Sequence, residues 1–316
     1  MKRLLALASL LLLLLAACSA DAPAASTEST AAEATEQTAA PTEATAPEEA
    51  EDEELLFVHF IDVGQADCTL LKYGDTEILI DGGNAADGMT VTNYLYSLGV
   101  EELELVINTH AHEDHVGGLA TVARKFTIDE IWASESPSYS SAFNSFSYYA
   151  QLQGVSIDYP EVGQTYTVDD LTLTVLGPVA EYDDVNNTSL VILVEFGERR
   201  FLFTGDMERD AEQDLLDSGA DVHADVLKVG HHGSYTSTSY VFLRAVAPTY
   251  GVIHVGAGND YGHPHESTIS RLTDADVAIF RTDLMGSIAI GCDGEELVFF
   301  WDNGAEDPEN WILDAA

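Results

Sequence analysis

The stretch from Leu105 to Leu119 reads LVINTHAHEDHVGGL, and it decides the fold of the chain. The apolar run from Leu103 to Ile107 predicts a short buried strand, and the residues from Leu119 to Lys125 predict a helix. Between them, three histidines and an aspartate occur within six residues: His110, His112, Asp114 and His115. Imidazole nitrogens and a carboxylate suit Zn²⁺, Mn²⁺ or Fe²⁺, so the stretch predicts a metal site at the end of a strand.

The spacing of this cluster is suited to two metals side by side. His110 and His112 can point the same way from an extended segment, because alternate residues share a face. Asp114 and His115 then turn toward a second position. Gly117 and Gly118 follow and let the chain turn close beneath the cluster. A solvated polar loop is the alternative, and the spacing HxHxDH directly after an apolar strand disfavours it.

The N-terminus predicts an exported protein. Lys2 and Arg3 precede an apolar run from Leu4 to Ala17, and Cys18 follows. A basic end, a short apolar core and small residues before the cut are typical of a secretory signal peptide. The cysteine resembles a bacterial lipoprotein box, so residues 1–18 are predicted to be a lipoprotein signal peptide. Lipidated Cys18 would then anchor the chain to the outer face of the bacterial cell membrane. An ordinary signal peptide or an uncleaved transmembrane anchor is the alternative.

The rest of the chain divides by composition. Residues 19–54 are mostly Ala, Thr, Glu and Pro, with eleven acidic residues and no basic one, which predicts a disordered tether. Residues 55–305 carry strand and helix patterns and predict one domain, and residues 306–316 are predicted to be a C-terminal tail. From residue 55 onward the chain holds 44 acidic and 10 basic residues. Such a domain lacks the basic surface that is typical of nucleic-acid binders.

Predicted strands and helices alternate along the domain, which indicates a layered α/β fold. Several of the strands end in polar residues, at the edge where α/β folds place their sites. These include Asp81 in IDGG, Asp206 in FTGDME and the pair His231-His232 in GHHGS. The aromatic-rich stretch 134–153 predicts either a surface helix or a loop over the site.

The signatures along the chain resemble those of the metallo-β-lactamase-fold hydrolase domain at the end of the DNA-internalisation competence proteins of the ComEC/Rec2 type. In order, they are DVGQAD (62–67), IDGG (80–83), NTHAHEDHVGGL (108–119), NNTSLV (186–191), FTGDME (203–208), DVLKVGHHGS (225–234), NDYGHPH (259–265) and RTD (281–283). The resemblance covers residues 55 to 302 and implies a four-layered αββα sandwich. It also implies a hydrolase that activates water with two divalent metal ions, Zn²⁺ or Mn²⁺.

The resemblance assigns a role to each member of the cluster. The metal ligands that it implies are His110, His112, Asp114, His115, Asp206 and one of His231 and His232. By this resemblance, His110 and His112 hold one metal. The other metal is held by Asp114, His115 and the further histidine. Asp206 bridges the two metals and positions the water. Asp114 and Asp206 therefore also count as catalytic. Within the pair, His231 is preferred because it lies nearer the end of its strand, with His232 as the alternative.

Other polar residues are candidates around the metals. Asp81 is predicted to orient the histidine loop, and Asp62 either does the same or only caps a turn. Asn187 and Ser189 of NNTSLV are expected near the first metal, toward substrate or water. The candidates for binding phosphate or protonating the leaving group are Lys228, Ser234, His263 and His265.

The chain departs from the wider superfamily in one respect. Many members supply another histidine between the HxHxDH motif and the bridging aspartate. This chain has no histidine from Val116 to Val222, so the first metal lacks that ligand. The pattern NxxSLV in this interval is typical of the competence-type branch.

The leading functional hypothesis is hydrolysis of a phosphodiester. The resemblance suggests extracellular DNA as the substrate, with nuclease-like activity on one strand. The acidity of the domain argues against tight non-specific DNA binding, so a small or cell-wall phosphodiester, such as a phosphorylcholine-type ester, is a rival. Hydrolysis of a lactone or β-lactam is a third alternative. A surface lipoprotein that only binds its ligand is the non-enzymatic alternative.

Overall fold

The computed structural model describes residues 55–303 and 312–315. The predicted signal peptide, the lipidation of Cys18 and the acidic tether lie outside the described residues. Among the helices that are described, none is long and apolar enough to cross a membrane.

Nine strands form the first sheet. They are β1 (Leu56–Phe60), β2 (Thr69–Tyr73), β3 (Thr76–Ile80), β4 (Glu102–Asn108), β5 (Thr127–Ala133), β6 (Ile157–Asp158), β14 (Ile288–Cys292), β15 (Leu297–Trp301) and β16 (Ile312–Ala315). Their order across the sheet is β16-β15-β14-β1-β2-β3-β4-β5-β6. The predicted buried strand before the histidine cluster is β4, which lies between β3 and β5 in this sheet.

Seven strands form the second sheet. They are β7 (Thr165–Val168), β8 (Leu171–Gly177), β9 (Val191–Phe196), β10 (Arg199–Phe203), β11 (Val226–Lys228), β12 (Tyr250–Ile253) and β13 (Ala278–Arg281). Their order is β13-β12-β11-β10-β9-β8-β7, and the neighbours from β10 to β13 are parallel.

Eight α-helices connect the strands of the described chain. They are α1 (Gly88–Ser97), α2 (Glu113–Val116), α3 (Leu119–Val122), α4 (Ser141–Gln153), α5 (Arg209–Asp217), α6 (Tyr240–Val246), α7 (Glu266–Asp274) and α8 (Thr282–Met285). Short 3₁₀ turns form at Asn186–Thr188 and Gly230–Gly233.

The two sheets pack face to face, because their strands place apolar side chains on both sides. In β10, Phe201 and Phe203 enter the cluster between the sheets, whereas Leu202 between them packs with the outer helices. Helices α1, α3 and α4 cover the outer face of the first sheet, and α5, α6 and α7 cover that of the second. The predicted four-layered αββα sandwich is confirmed.

The aromatic-rich stretch contributes α4 to this packing. Phe143 and Phe146 are buried against the first sheet, while Tyr148 remains exposed. Ser140 begins the helix, since its side chain accepts a hydrogen bond from the Phe143 N–H. Most of the stretch is therefore a surface helix with an aromatic inner face, and the prediction of a loop over the site is wrong for residues 141–153.

The end of the domain differs from the predicted boundary. Strand β16 lies within the predicted tail of residues 306–316 and pairs antiparallel with β15. Without β16, strand β15 would present unpaired backbone groups at the edge of the sheet. This pairing extends the first sheet past residue 305.

Parallel pairing gathers the polar strand ends at one edge of the sandwich. In the first sheet, β3 pairs parallel with β4, and in the second sheet β10, β11 and β12 are parallel neighbours. The carboxyl ends of parallel strands lie at the same edge, so the polar residues that follow them are brought together. This edge holds the candidate site.

A buried histidine in β1 makes the stability of the fold depend on pH. The ring of His59 lies with its Nδ1 3.1 Å from the hydroxyl oxygen of Tyr94 in α1. Burial, with a smaller contribution from the charge of Lys72, lowers the pKa of His59 from 6.5 to about 3. The unfolded chain therefore takes up a proton below about pH 6.5, whereas the folded chain does not until the pH nears 3. Stability is lost as the pH falls between these values.

We expect the variant His59→Gln, which keeps a partner for Tyr94 but cannot titrate, to weaken this dependence. Between pH 7 and pH 5, the free energy of unfolding of the wild-type chain should fall by about 2 kcal/mol more than that of the variant. Urea denaturation of both proteins at the two pH values measures the difference. Equal losses in the two proteins would show that His59 is not neutral in the fold.

Candidate metal centre

The centre is assembled from segments that follow four strands. The loop after β3 supplies Asp81, the loop and helix α2 after β4 supply the HxHxDH residues, and Asp206 follows β10. The 3₁₀ turn after β11 supplies His231 and His232, both with left-handed backbone (φ 50° and 51°). These residues come from both sheets, so the centre forms only when the two sheets pack.

Four side chains bring their ligand atoms within 4.8 Å of one another: Asp114, His115, Asp206 and His232. His115 Nε2 lies 3.3 Å from Asp206 Oδ1, and His232 Nε2 lies 3.2 Å from Asp114 Oδ2. His232 Nε2 is also 3.8 Å from Asp206 Oδ2. All but Asp114 are buried.

This group fits a divalent metal ion. His115 Nε2 and Asp206 Oδ1 are buried, and apart from the 3.3 Å ion-pair contact between them neither has a hydrogen-bond partner among the described residues. Buried polar atoms are nearly always satisfied in folded proteins, so these two call for a further partner. Two imidazoles and two carboxylates are a donor set that suits Zn²⁺ or Mn²⁺.

A second pair of imidazoles lies beside this group. His110 Nε2 is 3.1 Å from His112 Nδ1 and 3.9 Å from Asp206 Oδ2. Ser189, in the interval that lacks a histidine, does not replace the missing ligand. Its Oγ accepts the N–H of Asp206 (3.0 Å) and lies 3.4 Å from His110 Nδ1, so it supports the ring from behind. His110, His112 and Asp206 are therefore the candidate ligands of the predicted first metal.

The two histidines of the pair have different surroundings. His232 is buried within the four-residue group. His231 is 22% exposed in its side chain, with Nε2 3.6 Å from Asp206 Oδ2 and Nδ1 3.2 Å from Glu208 Oε1. For the second metal, the geometry therefore favours His232, the alternative, over His231, the residue that the sequence favours. The left-handed turn points successive side chains in different directions, which proximity to the strand end does not reveal.

Protons and a metal ion compete for this centre. Burial would lower the pKa of His115, but the carboxylates of Asp206 and Asp81 raise it well above its usual value. The pKa of His232 is raised to about 10, because Asp206 and Asp67 outweigh burial. Burial would raise the pKa of Asp206, but His115 and His232 hold it well below its usual value. Binding of a divalent ion must therefore release protons.

Asp81 ties the histidine loop to the end of β3. Its carboxylate accepts hydrogen bonds from the N–H and hydroxyl of Thr109 (2.8 and 2.6 Å) and from the Asn108 amide (3.1 Å). The second oxygen also lies 2.8 Å from His115 Nδ1. These contacts leave Nε2 of His115 facing Asp206, in agreement with the predicted orienting position of Asp81.

The loop that contains Gly82 packs closely against Gly117 and Gly118, which follow the histidine motif. A Cβ atom at Gly118 would lie 2.0 Å from the carbonyl oxygen of Gly82, and one at Gly117 would lie 2.3 Å from the Ala85 nitrogen. The Gly82 N–H donates to the His115 carbonyl oxygen (2.7 Å). The two glycines after the motif are thus required by space and not by a left-handed backbone.

Asp67, which the sequence does not single out, supports His232. Its Oδ1 lies 3.2 Å from His232 Nδ1, which is also 3.1 Å from the His254 carbonyl oxygen, the hydrogen-bond acceptor for that nitrogen. Its Oδ2 pairs with Lys228 Nζ at 2.8 Å. The only sequence signal is a carboxylate that ends DVGQAD directly before an apolar strand, together with a lysine in the buried strand β11.

Two predicted phosphate-binding candidates, Lys228 and Ser234, are buried and use their polar atoms inside the protein, which corrects their assignment. Lys228 is only 3% exposed, because its amine is paired with Asp67 and donates to the Val229 carbonyl oxygen (3.0 Å). Ser234 is buried, with its Oγ 2.9 Å from the Thr236 hydroxyl. Both side chains are used inside the protein and do not reach a substrate.

The remaining predicted residues divide between the site and its frame. Asp62 accepts the Gly64 N–H (3.0 Å) and so caps a turn, and Asn187 accepts the Glu208 N–H (2.9 Å). His265 accepts the Tyr235 N–H at its Nδ1 (3.1 Å), just before α7. His263 is the one of these that lines the cavity.

A cavity of about 300 Å³ opens above the centre. It is lined by Gln65, His112, Glu113, Asp114, Asn186, Asp206, His231, His232, Tyr261 and His263. No lysine or arginine is among these residues, so positive charge in the cavity comes from histidines or from bound metal.

The same residues fall within a known family. A family model described as the metallo-beta-lactamase superfamily matches residues 61–256, which is more than half of the chain. The chain belongs to the metallo-β-lactamase superfamily.

Similar proteins place it nearer to one branch. ComE operon protein 3 of Bacillus subtilis (strain 168) is 30% identical over 255 residues, covering 73% of this chain and 32% of that protein. The competence protein ComA of Neisseria gonorrhoeae is 31% identical over 232 residues, covering 73% and 31%. The chain thus spans about a third of the length of these relatives. The exodeoxyribonuclease WalJ of Streptococcus pneumoniae is 25% identical over 173 residues, covering 51% and 61%.

A solved structure supports the fold assignment. The metallo-β-lactamase fold protein YhfI from Bacillus subtilis superposes with a TM-score of 0.51 at 13% identity, covering 72% of this chain and 96% of that one. At this identity the match shows the fold alone. The predicted resemblance to the metallo-β-lactamase domains of competence proteins is confirmed.

We expect Asp67 to set metal affinity in this metallo-β-lactamase-type centre. The variant Asp67→Asn should bind Zn²⁺ about 10- to 100-fold more weakly, because it loses the charge that orients His232. Competition with a chromophoric chelator on the full chain measures the affinity.

Two further variants control this experiment. Asp75→Asn, at an exposed turn, should bind Zn²⁺ like the wild-type chain. The double variant Asp67→Asn, Lys228→Met removes the unbalanced buried charge and should still bind weakly. Wild-type affinity in either variant of Asp67 would contradict the supporting role.

Proposed function

We propose that this metallo-β-lactamase superfamily hydrolase cleaves phosphodiester bonds with a metal-activated water. One observation carries the proposal: a largely buried group of two histidines and two aspartates opens onto a cavity, and its His115 Nε2 and Asp206 Oδ1 have no hydrogen-bond partner beyond their own ion-pair contact. A cluster built only for stability would not leave such atoms unsatisfied.

The contacts support a site for two metal ions. Asp114, His115, Asp206 and His232 would hold one Zn²⁺ or Mn²⁺, and His110 and His112, with Asp206 shared, would hold the other. Bound divalent ions supply hydroxide near neutral pH and stabilise negative charge on a phosphoryl group. The first position has fewer ligands, so we expect it to bind its ion more weakly.

The side chains of the chain contribute orientation. Asp206 lies near His110, His115 and His232, and its carboxylate would accept a hydrogen bond from the attacking water and orient it toward the cavity. Asp114 reaches from the buried group to the cavity wall with its side chain 33% exposed. Asp81 and Asp67 hold the rings of His115 and His232 from behind, so neither ring needs to reorganise during the reaction.

The relatives support DNA as the substrate class to test first. One is named a competence protein and another an exodeoxyribonuclease. Because the chain spans only a third of the competence relatives, DNA hydrolysis by this chain is part of the proposal. We expect single-stranded DNA to be favoured, since a flexible strand can enter a narrow cavity more readily than a duplex.

A second substrate class is favoured by charge. The cavity has no lysine or arginine, and the chain from residue 55 onward has 44 acidic against 10 basic residues. A long polyanion gains little from such a surface. A small or cell-wall phosphodiester, such as a phosphorylcholine-type ester, avoids this repulsion and is the second candidate. A surface lipoprotein that binds its ligand without turnover is the alternative that metal content tests.

The location of the protein is also a proposal. The composition of residues 1–18 supports export and lipidation at Cys18, and residues 19–54 would separate the hydrolase from the membrane. The domain would then act at the outer face of the bacterial cell membrane, where extracellular DNA and cell-wall phosphodiesters are both accessible.

We expect the purified full chain to bind up to two metal ions and to hydrolyse bis-p-nitrophenyl phosphate when Mn²⁺ or Zn²⁺ is added. Asp206→Asn should lower turnover by more than about 100-fold, because loss of a shared ligand should exceed the effect of losing a supporting residue. Elemental analysis gives the metal content, and release of nitrophenolate gives the rate.

The exposed Asp217→Asn variant, at the end of α5, is the matched control and should retain full activity. Parallel assays on single-stranded DNA and on a choline phosphate ester then separate the two substrate classes. Absence of both bound metal and metal-dependent turnover would contradict the hydrolase proposal and leave a binding protein.

A further inference from the structure

The cavity wall formed by Gln65 and His263 takes no part in the four-residue metal group. Gln65 lies in the loop after β1, and His263 lies in the loop between β12 and α7. Both line the cavity. Their side chains are in contact, with Gln65 Nε2 3.2 Å from His263 Nδ1.

A backbone contact fixes which end of the Gln65 amide faces the histidine. The Gly256 N–H donates to Gln65 Oε1 at 3.1 Å. A backbone N–H can only donate, so the amide oxygen must lie on that side and the amide nitrogen must face His263. A Cβ atom at residue 256 would lie 2.7 Å from the backbone nitrogen of Gln65, so this close approach needs glycine at position 256.

The fixed amide in turn fixes the tautomer of His263. An amide NH₂ group has no acceptor, so His263 Nδ1 must accept the hydrogen bond and carry no proton. A neutral imidazole then carries its proton on Nε2, the nitrogen of this cavity-lining residue that Gln65 does not contact. The network is therefore a directed chain from Gly256 through Gln65 to an N–H donor in the cavity.

The backbone of His263 is also held in place. Asn259 Oδ1 accepts the His263 N–H at 3.0 Å, and Asn259 Nδ2 donates to the His263 carbonyl oxygen at 2.6 Å. The ring of Tyr261 stacks on the imidazole, with ring centroids 5.6 Å apart. A donor that is fixed in this way needs little reorganisation when a ligand binds.

The surroundings keep this imidazole neutral. A protonated ring would place an N–H at Nδ1 against the amide N–H of Gln65, so the contact disfavours the imidazolium form. A neutral imidazole is a good hydrogen-bond donor, but it is a poor proton source for a leaving oxygen because it would become an imidazolate. Of the two roles predicted for His263, binding phosphate is thus favoured over protonating the leaving group.

We propose that Gln65 is a positioning residue that holds His263 as the neutral Nε2–H tautomer, and that this N–H binds a non-bridging oxygen of the phosphoryl group. The inference rests on the proposed phosphodiesterase function. The cavity wall is otherwise rich in acceptors, with Glu113, Asp114 and Asp206, so this N–H supplies a donor that a phosphoryl oxygen needs.

The test uses the metal-loaded full chain and the variant Gln65→Glu. In the wild type, ¹⁵N NMR of the histidines should show an unprotonated Nδ1 and a protonated Nε2 for His263, with the signals assigned from a His263→Gln variant. A carboxylate at residue 65 accepts and does not donate, so Nδ1 should become protonated in Gln65→Glu. Gln151→Glu, an exposed change of the same charge on α4, should leave the signals unchanged.

The kinetic part of the test uses inorganic phosphate as the probe. Gln65→Glu should weaken inhibition by phosphate and raise KM for bis-p-nitrophenyl phosphate by roughly tenfold or more, as expected for loss of a hydrogen bond to a charged group. Because the bond is to a non-bridging oxygen, the ratio of rates for good and poor leaving groups should stay at its wild-type value.

Three results would overturn the proposal. The first is a protonated Nδ1 of His263 in the wild type. The second is a Gln65→Glu variant whose tautomer changes while its inhibition by phosphate does not. The third is a Gln65→Glu variant that loses rate only on poor leaving groups, which would indicate that His263 donates a proton. A wild-type chain that binds metal but turns over no phosphodiester would instead refute the proposed function. The NMR signals and calorimetric binding of phosphate would still decide the role of Gln65 in that case.

Discussion

Burial of carboxylates in an already acidic domain is the constraint on which the site depends. Asp67, Asp81 and Asp206 are each at most 5% exposed. Ionised carboxylates leave water only when positive charge or several donors replace their hydration. One lysine, Lys228, meets part of this need, and the histidines meet the rest, either as protonated rings or as ligands of a divalent ion. The same electrostatic need therefore favours both folding around the centre and binding of metal.

One design recurs among the histidines of the centre. Four of the rings use one nitrogen for a supporting contact within the protein, and the other nitrogen is not used in that contact. The pairs are His115 with Asp81, His232 with Asp67, His231 with Glu208, and His263 with Gln65. Where the support is a carboxylate, the ring is made a better ligand. Where it is an amide that donates, the ring becomes a neutral donor.

Charge outside the centre limits how a substrate is recognised. The chain has a formal net charge of −43, and several of its few cations are paired within the fold, as Arg199 is with Asp225 and Arg281 is with Asp283. Attraction of a phosphodiester must then be local, from metal ions and a small number of N–H donors. At about 0.1 M salt, charges more than about 10 Å apart are largely screened from each other. A bound substrate is then repelled only by nearby carboxylates, and a short substrate lies near fewer of them than a long one.

The sequence by itself determined the fold family, the strand before the histidine cluster and most of the candidate metal ligands, because residue types at fixed spacing report local chemistry. Tertiary structure alone decided the contacts made across the two sheets. It placed His232 in the metal group in preference to His231, through a left-handed turn that spacing does not reveal. It turned Lys228 inward, where the unpredicted Asp67 neutralises it, and brought Gln65 to His263 from nearly 200 residues away. Such pairings depend on how the two sheets stack, and no local sequence pattern encodes a contact between residues so far apart in the chain.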